Sequence, residues 1–471
     1  MNSSTSIEPN MDTRHPRFSR REIIRSLVGS SLLLPGLVSN LLAEDAAPDP
    51  LSPKPQHFSA KAKRVIFIFS NGGVSHMDTF DHKPKLFAAD GKTMGIGGGL
   101  SNQQRRLLKP GWDFKPGGRC GTMVSDLFPH LRECMDDVCL IKSMKSDDNE
   151  HYQATLGIHT GSFFFSRPSI GSWISYGLGT VNQNLPSFVA ISAGSPYAGT
   201  QIFNNDFLPA YHQGVRVVPG KEPIANLDRR TKQSSVQELE LGLAGTLNQR
   251  HLRARGQDSE LAARIRTFET AFHMQTEARE VFDLSKEDDA TLALYGMKRG
   301  QTDGFGWPCV VARRLVERGV RFVELVDGSS SHNWDQHGDM AEHAKHAKNL
   351  DQPVAGLLKD LKQRGMLEDT LVVWTTEFGR TPGVDGDKGR GHHSACYSSW
   401  LAGAGVKAGT SYGSTDDIGA AVAENRVHVH DFHATILHLL GMDHEKLTFR
   451  HGGRDYRLTD VHGNVVQALL A

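Results

Sequence analysis

The sequence predicts an α/β fold: a three-layer α/β/α sandwich around a mostly parallel central sheet. Three observations lead there. Residues 65–69 (VIFIF) form an unbroken apolar β-type run stopped by Asn71, Gly72 and Gly73, the pattern of a central strand buried on both faces. Further strand-like runs at 138–141, 188–191, 320–326 and 371–375 alternate with helical stretches at 259–280, 310–318 and 341–364. Such alternation favours a parallel sheet covered on both sides. Finally, clusters of polar residues follow the predicted strands, and functional groups in sheets of this kind gather at the carboxyl ends of the strands.

Before the first strand, Ser19, Arg20, Arg21, Glu22, Ile23 and Ile24 precede an apolar stretch over about 27–42. This reads as a twin-arginine export signal over residues 1–45, so the expected partner is the twin-arginine machinery and the expected location periplasmic or extracellular. Gly29, Ser30, Ser31, Pro35 and Gly36 interrupt the run, which argues against a stable transmembrane helix. Residues 46–62 are rich in Pro, Ser and Asp and read as a linker. A single domain then follows over 63–471, with insertions expected near 91–118, which is Gly-rich, and 229–284, which is mostly helical.

The chain has 471 residues, 38% of them hydrophobic, enough for a large buried core. Lys plus Arg equal Asp plus Glu at 53 each, so no one-signed field points to nucleic acid. Cys120, Cys134, Cys139, Cys309 and Cys396 form no C-x-x-C pair. That argues against a zinc knuckle or a disulfide scaffold and leaves room for one bridge among the first three.

Four polar clusters carry the candidate chemistry. The first, after strand 65–69, contains His76, Asp78, Asp81 and His82; Asp78 is a candidate metal ligand and His76 a candidate substrate contact. The second, at 147–153, contains Asn149 and His151 and opens a short helix whose N-terminus favours negative charge. The third, at 331–337, contains Asp335 and His337. The fourth joins Glu377 and Arg380 to Arg390, His392 and His393. Carboxylates and imidazoles delivered from separate strand ends suit a divalent ion, with Asp78, Asp335, His337, Glu377 and His392 as its candidate ligands. Zn, Ca, Mg and Mn all remain open. Arg380 or Arg390 could hold a sulfate or phosphate by a bidentate fork, and His393 completes the candidate substrate contacts.

Several of these segments together resemble the alkaline phosphatase and sulfatase superfamily. DTLVVWTTEFG at 369–379 is similar to the sulfatase stretch in which a strand runs into an Asp-His-Gly metal turn; DFHATIL at 431–437 is similar to its late helix; 154–161 resembles the helix that begins at the catalytic nucleophile. GGVSHMDTFDHKP at 72–84, WDQH at 334–337, EFGRTP at 377–382, GRGH at 389–392 and GGRDYRLTDVHG at 452–463 look more closely like the exported domain of unknown function 1501 family. The resemblance runs from about residue 64 to the end. It implies an alkaline phosphatase/sulfatase-like fold, a divalent metal and a small-molecule or carbohydrate ester substrate.

Residue by residue, the sequence departs from the sulfatase pattern. The first-strand Asp pair falls on Asn71 and Gly72, the nucleophile position on His151, and the Asp-His metal pair on Glu377 and Phe378; Gly391 stands where related chains carry Asp. The expectation is therefore an exported metal-dependent hydrolase of sulfate or phosphate esters, with His151 and Arg380 in catalytic roles, His151 as a ligand or general acid/base rather than a covalent nucleophile. The alternative is an inactive hydrolase fold that binds a polysaccharide or an envelope partner.

Overall fold

A computed structural model describes residues 50–97, 102–225, 227, 234–255 and 259–471. The expected export signal and the start of the linker lie outside the described residues, as do parts of the two expected insertions. Residues Leu51–Ala471 form one compact unit.

Among the described residues its centre is a sheet of nine strands, most of them parallel. In chain order these are β1 (Arg64–Ser70), β2 (Val138–Lys145), β3 (Phe188–Ser192), β4 (Val215–Val217), β5 (Phe322–Asp327) and β6 (Thr370–Thr375). A two-stranded hairpin, β7 (Gly379–Asp385) and β8 (Gly389–His393), stands outside the sheet, which is completed by β9 (Tyr397–Ala402), β10 (Thr410–Tyr412) and β11 (Val427–His428). The spatial order is β10-β2-β9-β6-β1-β5-β3-β4, with β11 also pairing β2. β1 runs parallel to both β6 and β5, and β9 alone runs against its neighbours β6 and β2. No sequence signal marked β9.

The VIFIF run explains the layers. Alternate side chains of a strand point to opposite faces, so Ile66 and Ile68 join one buried cluster while Val65, Phe67 and Phe69 join another. The first is covered by α5 (Gly306–Glu317) and α6 (His343–Gln363), through residues such as Val310, Leu315, Leu350 and Leu358. The second is covered by α1 (His151–Thr160), α2 (Ile170–Leu178) and α7 (Val429–Leu439), through Ile158, Ile174 and Ile436. Each such side chain, fully buried, contributes roughly 1.5–3 kcal/mol. This is the three-layer α/β/α sandwich that the alternation predicted.

The expected insertions have structure of their own. In the first, residues 93–97 pair antiparallel with 102–106, and 114–117 pair with 122–125 beyond its expected end; the second holds the helices α3 (Ser234–Arg255) and α4 (Ser259–Phe282). The described end of the expected linker is packed: Lys54 N donates to Leu178 O at 3.0 Å and His57 N to Gly441 O at 2.9 Å. Gly179 makes room for it, since a Cβ there would meet Ser52 O at 2.1 Å. All five cysteines are free thiols, so the bridge for which the spacing left room is not formed. No helix among the described residues is long and apolar enough to cross a membrane.

Register fixes where the site forms. Phe69 sits opposite both Thr375 and Val326, so the loops leaving β1, β5 and β6 open at one edge of the sheet. β2 ends at the same edge, because it runs in the direction of β6, and the chain leaving it enters α1 at His151.

Candidate metal centre

Four of these connections meet around the carboxylate of Asp335. Its Oδ1 lies 2.9 Å from His337 Nε2 and 3.2 Å from His392 Nε2, and Oδ2 lies 3.2 Å from His151 Nε2. Ligand atoms of His151, Asp335 and His392 all fall within 4.8 Å of one another, a grouping able to hold a metal ion.

Each imidazole is oriented through its other nitrogen. His151 Nδ1 lies 2.7 Å from Glu377 Oε1, His337 Nδ1 2.5 Å from Asp385 Oδ2, and His392 Nδ1 2.8 Å from the Asn149 carbonyl. An acceptor at Nδ1 places the proton there and leaves the Nε2 lone pair facing inward. The His151 and His392 lone pairs and the Asp335 carboxylate, gathered in one group, repel one another unless a proton or a cation lies between them, and His337 Nε2 stands beside that group against Asp335 Oδ1. His337 Nε2 and His392 Nε2 are only 2.9 Å apart, and His151 Nε2 is buried without a well-aligned hydrogen-bond partner. The donor set therefore fits one divalent cation with nitrogen and oxygen preference.

The electrostatics agree. Burial works against ionisation of Asp335, but the close imidazoles of His151 and His392 and the Arg380 charge outweigh it and hold the carboxyl far below the usual range. Glu377, fully buried, is likewise kept ionised against its burial by His151 and by the Gly72 amide. For His151, burial disfavours the charged ring, yet the two carboxylates flanking it raise its pKa.

Several groups set this geometry from outside. Gly72 N donates to Glu377 Oε1 at 2.8 Å, and a Cβ at Gly72 would meet Trp334 N at 2.6 Å and Asp335 N at 2.8 Å, so only glycine lets the Asp335 loop approach β1. Tyr197 stacks on His151 with ring centroids 4.1 Å apart and planes inclined by 7°, and its hydroxyl accepts from Asn333 Nδ2 at 3.0 Å. Burial and the Asp335 charge push the phenol up to about 12, so it stays protonated. Tyr197 and Asp385 were not found from the sequence, and Asn333 only as a member of the third polar cluster. Asp385 ends the hairpin strand that begins two residues after Glu377, a signal that spacing could have supplied; Tyr197 lies in a loop with no motif.

The structure separates the remaining candidates from this centre. Asp78, expected as a metal ligand, is fully buried and accepts from Arg390 Nε at 2.7 Å and Ser75 Oγ at 2.5 Å. Arg390 has no free fork for an oxyanion, since its other nitrogens donate to the carbonyls of Thr381, Pro382 and Leu108. Together they form a structural ion pair, which a buried guanidinium requires. Arg380 is similarly committed: Nε donates to Gly73 O, Nη1 to Arg390 O, and Nη2 to Gly72 O and Asp335 Oδ1. It therefore positions Asp335. His76 and His393 are buried against the carbonyls of Gly419 and Ala420, at 3.0 and 2.6 Å, and Asn149 contributes its backbone carbonyl to His392. Glu377, expected as a ligand, holds His151. Asn71 replaces the first-strand carboxylate; its Nδ2 donates to Ser329 O at 2.9 Å and its Oδ1 is buried without a partner.

The DUF1501 family, described as a protein of unknown function, matches residues 62–470. The chain belongs to the DUF1501 family. Its fold is the three-layer α/β/α sandwich described above. Similar solved structures include the lipoteichoic acid synthase LtaP from Listeria monocytogenes, at 9% identity and TM-score 0.38 over 87% of this chain and 79% of that one. The PsFucS1 sulfatase from Pseudoalteromonas sp. matches at 12% identity and TM-score 0.36, covering 92% and 74% of the two chains. The alkaline phosphatase from the Antarctic bacterium TAB5 matches at 10% identity and TM-score 0.31, covering 74% and 92%. None of these transfers a residue role at such values. No curated protein matches the chain.

Proposed function

We propose that this DUF1501 protein is an exported hydrolase of sulfate or phosphate esters that works with one divalent cation held by His151, Asp335, His337 and His392. The observation that carries the reading is the set of three imidazoles, each fixed through Nδ1 and each presenting Nε2 to one carboxylate. A bound divalent ion supplies Lewis acidity and a water acidified toward neutrality. Glu377 and Asp385 hold two of the rings, Arg380 fixes Asp335 from behind, and Tyr197 covers one face of His151 while keeping its proton. Export rests on the paired arginines at 20 and 21 and the apolar stretch behind them, and it makes the periplasm or the exterior the place of action.

One observation favours the non-catalytic alternative: Arg380 and Arg390 are both saturated by internal acceptors, which leaves neither to clamp an oxyanion. Metal analysis and turnover separate the two readings. The hydrolase reading expects about one divalent ion per chain, lost in Asp335→Ala, together with hydrolysis of an aryl sulfate, a phosphate monoester or a phosphodiester. Protein that takes up no metal and is silent on all three substrates would overturn it.

A further inference from the structure

A second feature opens at the same edge of the sheet, beside the metal-type cluster. A cavity of about 790 Å³ lies beyond the carboxyl ends of β3 and β5 and is walled in part by Asp303, Asp327, Ser329, His332, Lys345 and His346. Its volume is within the roughly 300–1,000 Å³ of small-molecule sites, and its position is where open α/β sheets hold ligands. The loop that follows β5 separates it from the cluster: Ser329 O accepts from Asn333 Nδ2 at 2.7 Å, and Asn333 Oδ1 accepts from Asp335 N at 2.8 Å. On the other side, Ser330 N donates to Ser195 O at 2.8 Å.

The walls carry both signs of charge. Lys345 and Asp303 are exposed at the rim. Deeper in, Asp327 is pushed up to about 6 by burial, and His346 down to about 4 by burial and by the neighbouring His332 and Lys345, so that ring is neutral at pH 7. The rings of His332 and His346 lie 4.6 Å apart. A ligand of one sign would gain on one wall what it loses on another. Hydroxyls both donate and accept, and suit such a lining.

We infer that this cavity binds a neutral, hydroxyl-rich ligand, a short saccharide or the end of a longer one, next to the cluster and independently of it. The inference does not rest on the hydrolase reading. The test is an array of neutral, carboxylated and sulfated oligosaccharides probed with the full mature chain and with Lys345→Ala, Asp303→Ala and Asp335→Ala. Both cavity substitutions are at exposed positions, and their thermal midpoints are expected to match the parent. The expected result is retention on neutral glycans by the parent and by Asp335→Ala, weakened tenfold or more in each cavity variant. Retention confined to charged glycans, retention unchanged in the cavity variants, or no retention at all would overturn the inference. So would loss in Asp335→Ala alone, which would place binding at the cluster; metal uptake, measured separately, tests the hydrolase reading.

Discussion

Single side chains around Asp335 act in opposed pairs, and the pairing sets what each substitution does. Arg380 is fully buried and its charge is met by Asp335 at 2.6 Å. Removing one partner of such a pair leaves a charge without compensation, so Asp335→Ala is expected to lower unfolding free energy by about 3 kcal/mol and Asp335→Asn by less, as read from urea transitions. Asp327 gives a cleaner pH signature. Burial lifts its folded pKa from 3.8 to about 6, even with Trp334 Nε1 donating at 2.7 Å. Between these values the folded chain holds a proton that the unfolded chain has lost, so its contribution to stability is present at low pH and falls as pH rises from about 4 to 6. Asp327→Asn keeps an acceptor for Trp334 and removes the titration. The variant is expected to gain on the parent by ~3 kcal/mol across that interval and to hold the gain above it. A difference between the two urea midpoints that stays constant with pH would contradict this origin.

At the scale of elements, the site exists because strand ends and a hairpin are brought into register. β7 and β8 pair Arg380 with His392, which places the residue that holds Asp335 opposite one of the rings that faces it. The loop leaving β5 reaches the cluster only through Gly72, whose φ of +114° lies outside what other residues adopt easily. Gly72→Ala is expected to cost about 2 kcal/mol or more from strain and from the displaced loop, and to reduce metal uptake along with stability. Unchanged uptake would show that the approach of Asp335 to β1 is not what forms the centre. Elements were readable to different degrees. Strands β1 and β6 are apolar runs buried on both faces, and β5 is one apart from Glu324 and Asp327, so their unbroken character is plain. β9 was missed because Ser398 and Ser399 break its apolar run; both are buried in the sheet, and Ser399 bonds Thr375 at 2.7 Å.

For the whole molecule, an ion bound only by the native fold stabilises it by mass action. If the four ligands hold one divalent cation, chelation is expected to lower the thermal midpoint and readdition to restore it, with a gain of about 2.7 kcal/mol when the free ion is a hundredfold above its Kd. Asp335→Ala should abolish the response, and a midpoint indifferent to chelator and metal in the parent would argue against the centre. The sequence by itself determined the layered α/β architecture and the family, because hydrophobic period and short motifs are local and survive without knowledge of contacts. It also singled out His151, Asp335, His337 and His392, since carboxylates and imidazoles after strand ends are rare enough to be noticed. Only the tertiary structure decided which candidates share one point. Asp78 and Arg390 look like ligand and clamp along the chain, yet they satisfy each other in the interior, while Glu377 turns from ligand to the support of His151. Whether a buried charge meets a ligand or another side chain depends on partners that can be 312 residues away, as with Asp78 and Arg390, and only folding chooses them.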